Sequence, residues 1–381
     1  MKESSRVGIA RTQEHGSLAQ AVAAAAEAAC IAGLVRPGCK VLVKPNLHGG
    51  PGFTRLDVVA AVVEWVRSAG AEEIVVGDGP YYGMADATDY FTEIGLRALC
   101  DDLSVPLVCF HEDSYDVMRP ALPSLPPAIG ITRWFAWADV VINLPVMKTH
   151  FNTLTTLAIK NLKGFLRPQD KRDLHRLDLH LAIAALATVV RPQLHILDAT
   201  TAYEGMGPNA ATPVEMGLLL ASADAFALDV VANWLMGFDP ATVRYLREGE
   251  RLGLGAIPST DEAIAGLTNL PQELFSLRRR LRRPYETAAV EYPGLRISTE
   301  LACSGCLMNL FTALAQIREE GCSVASGHVA IGRVADDEVP DLAVGLCTFS
   351  AWDRCPSVSG CPPTIEAMKQ ALRTLGCKGS G

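Results

Sequence analysis

The stretch Asp139-Val140-Val141-Ile142-Asn143-Leu144-Pro145-Val146-Met147-Lys148-Thr149-His150-Phe151 decides the fold class. Its first half is a short, nearly unbroken apolar run. That pattern marks a strand buried on both faces, as in a parallel sheet, rather than one alternating between core and water. Upstream, Lys40-Val41-Leu42-Val43-Lys44, Ile74-Val75-Val76-Gly77 and Val105-Pro106-Leu107-Val108-Cys109 repeat it. Helical patterns fall between them, over 17–34 (Ser17 and Gln20 at capping-box spacing), 56–69 and 89–100. Downstream come Leu194-His195-Ile196-Leu197-Asp198, a further run at 214–220 and a helical pattern over 224–236. This alternation predicts an α/β fold, a mostly parallel sheet with helices on both faces.

From residue 296 the character changes, and seven of the eleven cysteines lie at Cys303 or beyond. We expect an α/β body over 1–295 and a small C-terminal cysteine-rich, cluster-binding module over 296–381. The 381 residues, 49% apolar and 20% charged, suit a globular chain with a sizeable core and exclude disorder, collagen and coiled coil. A net charge of −8 argues against a nucleic-acid partner. No apolar leader follows Met1, and the alanine-rich stretch 18–34 carries Glu27, so it reads as a buried helix. A cytoplasmic protein without a membrane partner is expected; a homo-oligomer stays open.

Polar residues at the carboxyl ends of parallel strands sit in the ligand crevice of an open α/β sheet. Lys44 and Asn46 follow one strand; Lys148 and His150 follow another and share a face if the chain stays extended. Lys160-Asn161-Leu162-Lys163-Gly164 and the cluster Arg167, Lys171, Arg172, His175, Arg176 and His180 add positive charge, a local field for an anion. Asp198 and, in a glycine-rich turn, Glu204 follow a third strand. The run from Arg278 to Arg283 reads as a solvated helix face or a dock for an acidic redox partner. There is no nucleophile elbow, Walker loop or dinucleotide fingerprint.

Cys303-Ser304-Gly305-Cys306 is a C-x-x-C, and Gly360-Cys361-Pro362-Pro363 resembles the last ligand segment of 4Fe–4S proteins. With Cys347, at the end of an apolar run, these make four thiolates; Cys355 is the alternative fourth. A zinc staple is the rival, although zinc sites usually show two such knuckles. Cys30, Cys39, Cys100, Cys109, Cys322 and Cys377 read as ordinary thiols.

In their order these motifs resemble the domain of unknown function 362 family, often described as iron–sulfur proteins. The matching segments are Val43-Lys44-Pro45-Asn46, Asn143-Leu144-Pro145 with Lys148 and His150, Lys160 to Gly164, Asp198 with Glu204 to Pro208, and Ala223-Asp224 with Asp229. They cover roughly 6–240. The cysteine tail is similar to one variant in such proteins; many relatives carry a ferredoxin-type run instead. Part of the architecture is similar to the lactate racemase family, which binds a nickel-pincer nucleotide, but none of its motifs match residue by residue.

The leading expectation is an iron–sulfur oxidoreductase. Cys303, Cys306, Cys347 and Cys361 would hold a 4Fe–4S cluster. An anionic small molecule would bind to Lys44, Asn46, Lys160, Asn161 and Lys163. Lys148, His150, Asp198 and Glu204 would carry the chemistry, with a ferredoxin or flavodoxin as electron donor. The alternatives are an electron carrier or maturation factor without a substrate, a racemase or isomerase, and a zinc-stapled binding module.

Overall fold

The computed structural model describes residues 5–48, 52–82, 84, 86–207, 210–300, 302 and 304–379. The chain forms two compact units. One comprises Met1–Lys148, Thr155–Tyr203 and Pro213–Leu281; the other comprises Thr149–Leu154, Glu204–Thr212 and Arg282–Gly381.

The strands that build the first unit, some running on into the second, are β1 (Gly8–Arg11), β2 (Lys40–Pro45), β3 (Glu73–Asp78), β4 (Leu107–Cys109), β5 (Tyr115–Met118), β6 (Ile129–Thr132), β7 (Val140–Leu144), β8 (Val146–His150), β9 (Leu154–Thr156), β10 (Leu194–Met206) and β11 (Ala210–Ser222). The main sheet runs β1-β11-β10-β7-β2-β3-β4. The pairs β10–β7, β7–β2, β2–β3 and β3–β4 are parallel. β1 closes one edge antiparallel to β11, and β5 and β6 form a separate hairpin-like pair. β10 runs beside β7 first and β8 afterwards, pairing Asp198 with Val146 and Tyr203 with Lys148.

Both faces of this sheet are covered, which explains the unbroken apolar strands. Val41, Val43, Val76, Ile142, Leu144 and Ile196 pack with the helices Leu18–Ala28 and Leu56–Ser68. Leu42, Val75, Val141 and Leu197 alternate to the opposite face and are equally buried. Each such side chain contributes roughly 1.5–3 kcal/mol of burial. Ser17 caps its helix by accepting from the Gln20 amide at 3.2 Å, but the Gln20 side chain accepts from Gly16, not Ser17. That helix ends at Ala28 because Cys30 takes a left-handed φ of 60°. The pattern over 89–100 splits into Ala87–Glu93 and Leu96–Asp102 at Gly95, whose φ is 81°.

The second unit centres on a parallel sheet of β12 (Leu295–Ser298), β14 (Gly327–Ile331), β15 (Leu342–Val344) and β16 (Ser357–Val358). The short β13 (Cys322–Val324) and β17 (Cys377–Gly379) pair antiparallel beside it. One face buries Val329, Ile331 and Val344 under the helices Ser304–Glu319 and Ile365–Thr374. The other face buries Ala330 and Ala343 with Ala351, Trp352 and Cys355. Two expectations change here. Cys322 is disulfide-bonded rather than an ordinary thiol. Arg278 to Arg283 is not a helix face: the preceding helix stops at Leu277 and the run is irregular. Arg278 instead stacks on Trp234, 4.6 Å from its ring centre. No helix among the described residues is long and apolar enough to cross a membrane.

Candidate anion-binding site

The carboxyl ends of β2, β3 and β7 lie side by side, because Lys44 pairs with Asn143 in register and β3 flanks β2. Lys44 is fully buried, with Nζ 2.8 Å from Asp78 Oδ1. It also donates to the Pro45 carbonyl at 3.0 Å and to Asn161 Oδ1 at 3.2 Å. Asp78 Oδ2 accepts from the Leu47 amide at 2.9 Å. The pair fits only because Gly164 is bare. A Cβ there would stand 2.3 Å from Lys44 Nζ and 2.4 Å from Asp78 Oδ1.

A directional chain of amides fixes the next layer. Lys148 Nζ donates to Asn46 Oδ1 at 2.7 Å and to the Gly52 carbonyl. Asn46 Nδ2 donates to Asn161 Oδ1 at 2.8 Å, and Asn161 Nδ2 donates to Asn143 Oδ1 at 2.8 Å. Asn143 Nδ2 donates onward to the Ala158 carbonyl and to His195 Nδ1, both at 3.0 Å. Since the lysine can only donate, every amide orientation downstream of it is determined.

Lys160 and Asn161 ride on the short helix Ala158–Asn161. Its first amides are capped by Asp229, which accepts from Ala158 at 2.7 Å and Ile159 at 3.1 Å. Burial pushes the Asp229 carboxyl up to about 7. Lys163 lies against His175 Nε2. Rings continue from there: His175 to Tyr82 at 5.5 Å, Tyr82 to Tyr81 at 4.6 Å, Tyr81 to His48 at 5.6 Å. The Nδ1 atoms of His48 and His175 are buried and have no hydrogen-bond partner among the described residues.

The electrostatics follow from this crowding of cations. Burial lowers Lys148 well below its ordinary value, and Lys160 lowers it further while Asp78 opposes. Burial takes Lys160 down to about 7. Burial, then Lys160 and Lys171, depress Lys163. His48 is driven well down by burial and by Lys148, Lys160 and Lys163; His175 by burial and by Lys163, Lys160 and His48. Both histidines are therefore neutral at pH 7. Lys171 is also lowered by burial to about 7, but it is fully used, donating to Gly79 and Pro80 carbonyls and to His111 Nε2.

Of the residues picked from sequence, Lys44, Asn46, Lys148, Lys160, Asn161 and Lys163 converge in the first unit. Asp198 belongs to that unit but is engaged elsewhere: it accepts from Thr200 through the amide (3.0 Å) and hydroxyl (2.6 Å), and from the Arg55 amide (3.0 Å). His150 and Glu204 belong to the second unit. His150 Nδ1 accepts from the Asn152 and Thr153 amides at 3.1 and 3.3 Å, and its ring lies 4.3 Å from Phe151. Glu204 is held by Arg282, through its amide at 2.8 Å and Nε at 2.6 Å. Asp78, His48 and Asn143 were not singled out as site residues. The strand-end rule that found Lys44 applies equally to Asp78 and Asn143.

A family model described as "Domain of unknown function (DUF362)" matches residues 41–233. A thylakoid-associated protein of Synechocystis sp. is 37% identical over 253 residues, 63% of this chain and 75% of that protein. The chain belongs to the DUF362 family. Among solved structures, lactate racemase apoprotein from Thermoanaerobacterium thermosaccharolyticum aligns over 53% of this chain and 50% of its own, with 11% identity and a TM-score of 0.40. This chain thus spans half of the racemase. A Thermotoga maritima protein aligns over 61% of this chain and 56% of its own, with 12% identity and a TM-score of 0.31.

The DUF362 match contains every lysine and asparagine of the cluster, and it ends before the C-terminal cysteines. Cys303 lies outside the described residues. The buried Cys306 Sγ would stand 2.9 Å from a Cβ placed on Gly345. The segments of Cys347 and Cys361 meet there: the Leu346 amide donates to the Gly360 carbonyl at 3.0 Å, and Pro362 lies against Gly305. Cys347 and Cys361 are exposed. Cys355 packs on the opposite face of the small sheet and donates to the Ala351 carbonyl at 3.3 Å. Among the described residues, no group of three or more His, Cys, Asp or Glu side chains is placed to hold a metal ion.

Proposed function

We propose that the first unit binds a multiply charged anion, a phosphate- or carboxylate-bearing small molecule, at Lys148, Lys160 and Lys163. One observation carries this reading. Three buried or half-buried lysines surround two neutral histidines, and the nearby carboxylate, Asp78, is already engaged by Lys44. Burying cations without a counter-charge is costly, and an anion offsets that cost. Lys44, Asn46 and Asn161 are then the frame that aims Lys148.

The test is thermal. Inorganic phosphate, pyrophosphate and citrate are titrated against chloride at matched ionic strength. At a hundredfold excess over Kd, a ligand binding the native state alone stabilises by about 2.7 kcal/mol. Pyrophosphate or citrate should raise Tm of the native chain. Lys148→Met and Lys163→Met should each lose most of that shift. Identical melting in every anion would sink the reading.

The placement of Cys306 against Gly345, where the Cys347 and Cys361 segments meet, favours a second reading for the other unit. We propose that Cys303, Cys306, Cys347 and Cys361 hold a 4Fe–4S cluster that supplies one-electron transfer, with a ferredoxin or flavodoxin as donor. Among the described residues Cys306, Cys347 and Cys361 do not gather as a metal-holding group, so the reading rests on the meeting of their segments and on Cys303. Iron and acid-labile sulfide, measured after oxygen-free purification, check it. Both should be present, vanish in Cys306→Ala and persist in Cys355→Ala. Zinc without sulfide would make the site a structural staple.

A further inference from the structure

Five lysines sit in or beside the anion cluster, and four of them have spoken-for amines. Lys44 holds Asp78, Lys148 holds Asn46 and Gly52, Lys163 holds His175, and Lys171 holds two carbonyls and His111. Lys160 differs. Its one hydrogen bond among the described residues is a long one, 3.4 Å, to the Thr156 hydroxyl. It is 9% exposed, and no carboxylate pairs with it among the described residues.

We infer that Lys160 is an imine-forming amine, acting on the carbonyl of a small molecule whose anionic group is held by Lys148 and Lys163. This rests on the anion-site reading above. A lysine becomes a nucleophile when burial and neighbouring cations keep it unprotonated. With Lys160 lowered to about 7, about half of it is neutral at pH 7, against roughly one part in three thousand for an ordinary lysine. The amine nitrogen attacks the carbonyl carbon to give a carbinolamine. The two amine protons then leave with the carbonyl oxygen as water, and a C=N bond replaces C=O. Nothing is oxidised or reduced.

The experiment traps the imine. The intact chain is treated at pH 7 with pyridoxal 5′-phosphate and cyanoborohydride, and adducts are mapped by peptide mass spectrometry. Lys40 is the internal standard; it is a surface lysine paired with Glu73. Labelling of Lys160 should exceed that of Lys40 by at least about tenfold, given the difference in neutral amine. Excess pyrophosphate should suppress it. Lys160→Arg should abolish the adduct. The wild-type map needs no variant to fold. If pyrophosphate raises Tm but Lys160 labels no faster than Lys40, the imine assignment is wrong and the anion site stands. If pyrophosphate neither raises Tm nor protects, both readings fall.

Discussion

Gly164 shows how one missing methyl group shapes the site. Its Cβ position overlaps Lys44 Cε at 2.2 Å, Lys44 Nζ at 2.3 Å and Asp78 Oδ1 at 2.4 Å. Both partners are buried and held from other directions, so neither can swing away. Gly164→Ala should therefore separate the ion pair and leave two charges uncompensated, at about 3 kcal/mol or more. Chemical denaturation should show a lower midpoint with an unchanged m-value. An unaltered midpoint would mean that the pair contributes nothing. This dependence could not be read from sequence. Lys160 to Gly164 stood out as a motif, but its glycine answers to a lysine and an aspartate far away along the chain. Lys44 itself was legible, because a cation directly after an apolar parallel strand has few other places to go.

At the scale of elements, the short helix Ala158–Asn161 carries two site residues and is too brief to stand alone. It is fixed from below by Asp229, on the helix Ala225–Leu235, with Tyr245 donating to Asp229 Oδ2 at 3.1 Å. Asp229→Asn must turn an NH₂ group toward a donor, which costs roughly 1–3 kcal/mol. It should also loosen Lys160 and Asn161. We expect the pyrophosphate-induced Tm shift to shrink by more than the loss in basal Tm explains. Parallel loss of both would reduce Asp229 to a purely structural role. The strands of the main sheet were legible because their apolar runs have one physical explanation. The path after Pro145 was legible only in part. β8 is extended, the condition under which Lys148 and His150 share a face, but the contact boundary falls after Lys148 and assigns His150 to the other unit. Such a boundary depends on long-range packing, which local spacing does not encode. The arginine run misled for a related reason: charges at helical spacing need an apolar stripe to fold as a helix, and Arg278 to Arg283 offers Leu281 alone.

For the whole molecule, a net charge of −8 conceals a first unit whose interior is locally cationic. Lys160 and Lys171 are both lowered to about 7 by burial, from an ordinary 10.5. Between pH 7 and 10.5 these two lysines hold more protons in the unfolded chain than in the native one, so their contribution to stability rises with pH across that window. Asp229, raised to about 7 from 3.8, acts in the opposite sense between pH 4 and 7, where the native state holds the extra proton. Ligand-free protein should thus melt at a higher temperature at pH 9 than at pH 7, unusually for an acidic chain gaining net charge. Bound pyrophosphate should protonate the lysines as it binds, so its stabilising increment should shrink as pH rises and the slope above pH 7 should flatten or invert. Melting curves at pH 7, 8 and 9, with and without pyrophosphate at constant ionic strength, measure both slopes at once. A ligand-free Tm that is flat over this range would show that these lysines keep ordinary proton affinities in the folded chain, and the buried-cation account of the site would have to be abandoned.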